Sequence, residues 1–233
     1  MSIDTFFERN RRWAAERTST DPKYFERQAA KHTPSSLFIG CSDARVPVNV
    51  ITGTEVGELF VARNIANQVI ATDNNLLAVV QYAVEVLEVK DVIVCGHENC
   101  GGVRAALLGK APPHVEGWLA HVRTVARLHE EELAAIADEN ARVKRLVELN
   151  VQEQVYNLSR LTVIQEAWAN GKELRLHGWA YGLSDGLLRD LRVTMDGRPA
   201  EATTRDGAPT HSNARPDSRP RAWAGRHPEA TAG

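Results

Sequence analysis

The sequence predicts an α/β domain built on a mostly parallel central β-sheet flanked by helices. Three observations carry this. Short apolar runs bounded by polar, glycine and serine residues recur along the chain, which is the pattern of buried strands. Segments of helical periodicity separate them, and strands alternating with helices give crossover connections and therefore parallel pairing. At 233 residues, 43% hydrophobic and 25% charged, the chain is long and apolar enough for one domain with a real core.

The elements follow in order. Residues 1–17 form an amphipathic helix with Phe6, Phe7 and Trp13 set among Arg and Glu. A loop from Thr18 to Pro34 leads to a strand in SLFIGCS, which ends at Cys41. GELFVARN is a second strand, and NNLLAVVQYAVEVLE has the periodicity of a helix of about four turns. DVIVCGH is a third buried strand, and CGGVRAALLG opens a short helix stopped by Gly109 and two prolines. From Val115 to Asn170 the pattern is helical almost throughout, closed by Gly171. ELRLHGWAYGL is a strand, and SDGLLRDLRV a further short strand or hairpin arm. Residues 1–195 are thus expected to form the folded domain. Asp196 to Gly233 holds five of the ten prolines and too little apolar surface to offset its ordering entropy, so a disordered tail is expected there.

Composition excludes several classes. With 28 basic and 30 acidic residues the formal net charge is −2, which lacks the basic excess of a nucleic-acid binder, and the arginines of the tail alternate with acids. No run approaches the roughly 18 apolar residues that span a bilayer. The N-terminus MSIDTFFERNRRW is charged within ten residues and has no apolar core, unlike a secretory signal. No membrane partner and a cytoplasmic location are expected. Three cysteines are too few, and odd in number, for a disulfide scaffold, so thiols are available for metal binding or catalysis.

Chemistry concentrates in two patches, Cys41-Ser42-Asp43-Ala44-Arg45 and His97-Glu98-Asn99-Cys100-Gly101-Gly102, each just past the end of a predicted strand. In open α/β sheets ligands gather at that end. Two thiolates and an imidazole suit zinc, and three protein ligands leave the fourth tetrahedral position open, as catalytic sites do. Cobalt or iron could take the same ligands. Taken alone, His97 and Cys100 also fit a satisfied histidine and a packed thiol, and Asp43 with Arg45 fits an ordinary turn ion pair. Cys95 lies inside its strand, behaves as a small buried hydrophobe and stays outside the site. Gly101-Gly102 opening a helix is too short a glycine loop for phosphate.

The pair C-S-D-A-R and H-E-N-C-G-G resembles the signature of the β-class carbonic anhydrases, nearest to their bicarbonate-switchable bacterial subtype. GELFVARNIANQV, LAVVQYAVEVLEVKDVIVCGH, NVQEQVYNLSRL and HGWAYGLSDG are similar to that family too, so the likeness runs from about Phe6 to Val193. The resemblance implies reversible hydration of CO2 to bicarbonate and a proton by a zinc-bound hydroxide. Cys41, His97 and Cys100 would hold one Zn2+ per subunit, with Asp43 and Arg45 as the catalytic acid and base beside it. It also implies a homodimer or tetramer with the active site at the subunit interface and the N-terminal helix packed on the partner.

Two thiolates donate more charge than histidines, so the bound water should be less acidic and activity should rise on the alkaline side of neutrality. Paired with Arg45, Asp43 is held off the metal and can accept the hydroxide proton. Unpaired, it would become a fourth ligand and close the site. The switchable relatives bind bicarbonate at a tryptophan, an arginine and a tyrosine. Here Phe38, Arg63 and Tyr181 take those places, and Phe38 lacks the indole N–H. Ala62 replaces a histidine common in the family, which removes a candidate proton carrier. His114, His121 and His129 are either solvated surface residues or a proton path at the rim. Two alternatives stand beside CO2 hydration: a carbonyl sulfide or carbon disulfide hydrolase on the same fold, and a non-catalytic closed zinc module.

Overall fold

The structure is a computed structural model that describes residues 2–109 and 111–197. All of the expected tail except Asp196 and Gly197 lies outside the described residues. Among the described residues five strands form one sheet: β1 (Ser36–Cys41), β2 (Leu59–Asn64), β3 (Asp91–His97), β4 (Arg175–Tyr181) and β5 (Leu188–Asp190). Their spatial order is β2-β1-β3-β4-β5. The first four are parallel and β5 is antiparallel to β4. Every residue of β1 is buried, and so is all of β3 after Asp91, as expected of central parallel strands covered on both faces. Leu37 and Ile39 of β1 and Val92 and Val94 of β3 meet Leu76, Val80, Leu158 and Ile164 in the main core. Phe38, Ile93 and Cys95 point the other way and pack with Trp179, Tyr181 and Leu188. Cys95 is therefore a core residue, and burial pushes its thiol up to about 12.

Among the described residues the α-helices are α1 (Ile3–Thr20), α2 (Tyr24–Ala30), α3 (Val48–Thr52), α4 (Asn74–Gln81), α5 (Gly101–Leu108), α6 (Pro113–Trp118), α7 (Ala120–Leu128), α8 (Glu130–Ala134), α9 (Glu139–Ser159) and α10 (Thr162–Ala169). Where the sequence suggests only a loop at 18–34, α2 forms, because Tyr24 and Phe25 find Trp13 edge-on at ring distances of 6.5 and 5.5 Å. The four-turn helix expected from Asn74 widens into a π-turn at Tyr82–Val86 before Glu88, in the left-handed region at φ 52°, ends it. The long helical stretch is five helices. Gly109 and Gly171, at φ 71° and 74°, stop their helices as the sequence predicts.

None of the residues of α1 is buried, and Ile3, Phe6 and Phe7 are all more than half exposed. Among the described residues, no helix is long and apolar enough to cross a membrane. The helix that matters most to the site is α9. Its Val147 and Val151 lie against Gly96, the residue before His97.

Candidate metal centre

The carboxyl ends of β1 and β3 are adjacent in the sheet, and this brings the two sequence patches together. Cys41 is the last residue of β1, His97 the last of β3, and Cys100 the residue that precedes α5. The two sulfurs stand 3.9 Å apart, and with a ring nitrogen of His97 they form a group of ligand atoms all within 4.8 Å of one another. Two thiolates on a tetrahedral zinc at about 2.3 Å each would be about 3.8 Å apart, so the spacing suits that ion. All three residues are buried.

The orientation of His97 supports the same reading. Its Nδ1 donates to the backbone carbonyl of Glu98 at 2.9 Å, which leaves Nε2 as the acceptor. Nε2 is fully buried and has no hydrogen-bond partner. A buried nitrogen lone pair left without a donor is costly, and a cation between the sulfurs would satisfy it. Cys41, His97 and Cys100 therefore fit a soft to borderline divalent ion.

The surroundings of the pair favour a thiolate at Cys41. The Cys100 thiol donates to Cys41, and His97 and the backbone amides of Ala66 and Asp43 add to this against burial. Together they hold the Cys41 thiol down at about 4. Cys100, as the donor of that pair and deeply buried, is pushed up, while the amides of Gly102 and Val103 at the start of α5 pull it back. Ala66 can aim its amide at Cys41 because Ala66 and Asn67 adopt left-handed backbone, at φ 61° and 47°. Nothing in I-A-N at the sequence level signals that.

Asp43 and Arg45 form a tight local unit beyond the end of β1. Asp43 Oδ1 accepts from the Arg45 backbone N–H and from Arg45 Nε, both at 2.9 Å, and Oδ2 accepts from Arg45 Nη2 at 2.7 Å. The guanidinium beside it holds the Asp43 carboxyl well below the usual carboxylate range. Oδ2 also lies 3.8 Å from His97 Nε2, so the carboxylate borders the metal position. Arg45 Nη2 reaches the carbonyl of Asn99 at 3.3 Å and so ties this turn to the loop that carries the other two ligands.

The three residues expected at a bicarbonate site lie near the same strand ends. Phe38 is fully buried and packs in one cluster with Tyr181. Arg63, opposite Gly40 on β2, donates from Nε to the Cys41 carbonyl at 2.8 Å and from Nη2 to the Asp43 carbonyl at 2.6 Å. His114 and His121 line an open groove of about 460 Å³ with Asp73 and Trp118, while His129 pairs with Glu132 at 3.5 Å.

Comparison with known proteins agrees with this geometry. Residues 36–188 match the family model described as "Carbonic anhydrase". A carbonic anhydrase of Emericella nidulans is 46% identical over 194 residues, covering 83% of this chain and 85% of that protein. One from Pseudomonas aeruginosa is 40% identical over 177 residues, covering 72% and 77%. Among solved structures, a tetrameric β-carbonic anhydrase of the ascomycete Sordaria macrospora superposes with a TM-score of 0.80 at 38% identity, covering 83% of this chain and 98% of that one. The Coccomyxa β-carbonic anhydrase in complex with acetazolamide gives 0.80 at 34% identity, covering 84% and 89%.

Proposed function

We propose a mechanism from one premise: this chain belongs to the β-class carbonic anhydrase family, so it is a zinc-dependent lyase that hydrates carbon dioxide. Cys41, His97 and Cys100 would hold the metal. When bound, zinc lowers the pKa of a coordinated water so that a nucleophile is available near neutral pH. The two thiolates of Cys41 and Cys100 are stronger donors than imidazoles, so this site calls for a more alkaline working range than one built from three histidines.

Asp43 and Arg45 do the rest of the positioning. Kept ionised by Arg45, the carboxylate offers only acceptor positions. Its Oδ1 is saturated by two Arg45 donors, and its Oδ2 keeps a lone pair toward the metal position. An attacking water that donates to Oδ2 has its own lone pair turned toward the CO2 carbon. The new C–O bond forms as one C=O electron pair moves onto oxygen, which gives bicarbonate, and the proton leaves to solvent. Arg45 holds Asp43 in a posture that would keep the carboxylate off a bound metal, and the observation that carries this is the two-pronged Asp43–Arg45 pair.

The exposed apolar face of α1 supports assembly with further copies, as the Sordaria enzymes are tetrameric. The active site then sits at the subunit interface, and three free cysteines suit a cytoplasmic setting. Bicarbonate bound among Phe38, Arg63 and Tyr181 would take Arg63 from the carbonyls of Cys41 and Asp43 and so loosen the turn that holds the carboxylate.

Arg45→Ala tests this reading. The variant should keep its zinc by metal analysis and lose about a hundredfold in CO2 hydration, the scale of a lost proton-transfer or orienting group. Unchanged rates would sink the role given to the pair.

A further inference from the structure

The residue between His97 and Asn99 does more than connect them. The backbone N–H of Glu98 donates to the Tyr181 carbonyl at 2.9 Å and extends the β3–β4 pairing by one step. Its carbonyl takes His97 Nδ1 at 2.9 Å, and the next carbonyl, that of Asn99, takes Arg45 Nη2 at 3.3 Å. Two consecutive carbonyls of one short loop thus orient a metal ligand and the arginine of the Asp43 pair. Asn99 reaches this arrangement with left-handed backbone at φ 51°. A loop in that conformation needs an anchor to persist.

The anchor is the Glu98 side chain, which is only 15% exposed. Its Oε2 accepts from Ser184 Oγ at 2.9 Å and from the Ser184 N–H at 3.4 Å. Its Oε1 pairs with Lys144 Nζ of α9 at 3.3 Å, and Arg189 of β5 stands 3.8 Å away. The carboxylate is therefore held from three directions: the turn after β4, the strand β5 and the long helix. We propose that Glu98 is a positioning residue for both the metal and the Asp43–Arg45 pair, acting through the two carbonyls of its loop. Removing the side chain frees the loop, lets the imidazole turn and loosens Arg45, although Glu98 itself touches neither metal nor substrate.

This role rests on the metal centre proposed above. It predicts an effect on metal binding itself, of the size seen when a group that orients a metal-ligating histidine is lost, about tenfold or more. The test is zinc affinity by competition with a chromogenic chelator, together with the visible spectrum of the cobalt-substituted protein, on full-length wild type, Glu98→Ala and Glu98→Gln. Glu98→Ala should bind zinc about tenfold more weakly with an altered cobalt spectrum. Glu98→Gln, whose amide oxygen can still accept from Ser184, should recover most of both. Should Glu98→Ala fail to fold, Ser184→Ala takes its place, with a smaller loss of affinity and a spectral change in the same sense. Unchanged affinity and spectrum in the variant that folds, or a lower Tm without either change, overturns the role. Wild type that binds neither metal overturns the metal centre, and this role with it.

Discussion

Gly96 precedes His97 in the strand, and the packing around it yields a quantitative expectation. A methyl group there would lie 2.7 Å from Val151 Cγ2 and 2.9 Å from Val147 Cγ1, both on α9. Ordinary carbon contacts are about 3.5–4.0 Å, so α9 and β3 would have to separate by several tenths of an ångström or more. Both valines are buried and β-branched, so neither has a free rotamer to escape into. Overpacking of this kind costs about 1–3 kcal/mol, and with two stiff contacts about 2 kcal/mol is expected for Gly96→Ala. In a domain of this size that lowers Tm by about 4–8 °C. Val151→Ala alone removes two buried methyls and should cost about 2 kcal/mol. The double variant should be less destabilised than the sum by about 1 kcal/mol, since one clash is relieved and the Val147 clash remains. Urea unfolding of the four zinc-loaded proteins at matched concentration measures the cycle. Wild-type stability in Gly96→Ala, or strict additivity in the double variant, would refute the claim that α9 sets the position of β3 beside His97.

Other expectations test separate parts of the account. Asp91 receives Arg175 at 2.8 and 2.9 Å and His177 Nε2 at 2.9 Å. Burial pushes its carboxyl up, but these hydrogen bonds outweigh that and hold it below its ordinary value. A depressed carboxylate stabilises the fold above its unfolded pKa of about 3.9, and that contribution is lost as pH falls through the folded value. The stability gap between wild type and Asp91→Asn should therefore be full above about pH 4 and shrink below it in acid-unfolding curves. A gap that widens with acid would contradict the ion-pair reading. Chelator treatment should expose Cys41 to iodoacetamide, whereas zinc-loaded protein should resist, and Cys95, with its thiol pushed up to about 12, should stay unlabelled in both. Peptide mass mapping would reveal the order, and labelling of Cys95 before Cys41 would contradict it.

Much of the site is legible in the sequence because its chemistry depends on residue type. Thiols and an imidazole at the ends of apolar runs announce a metal, and the run-and-gap pattern announces the parallel strands that bring those ends together. The place of Cys95 within a strand sets it apart, and the structure packs it in a different cluster from Cys41 and Cys100. Hidden from sequence are features that depend on backbone shape or on distant partners. The left-handed Ala66 and Asn67 carry no glycine to mark them. The Glu98 anchor joins residues separated by more than 80 positions, so no local motif reveals it. α2 and the breaks in the region after Val115 escape local patterning because tertiary contacts, such as Trp13 against Tyr24 and Phe25, decide them more than propensity does.

The central claim is a water activated by a thiolate-rich zinc centre and oriented by Asp43. Stopped-flow CO2 hydration on zinc-loaded protein, scanned from about pH 6.5 to 9, tests it most directly. The rate should be low at the acid end and climb steeply through the alkaline side of neutrality. A profile that stays flat down to about pH 6, or no turnover at any pH with zinc bound, would contradict it.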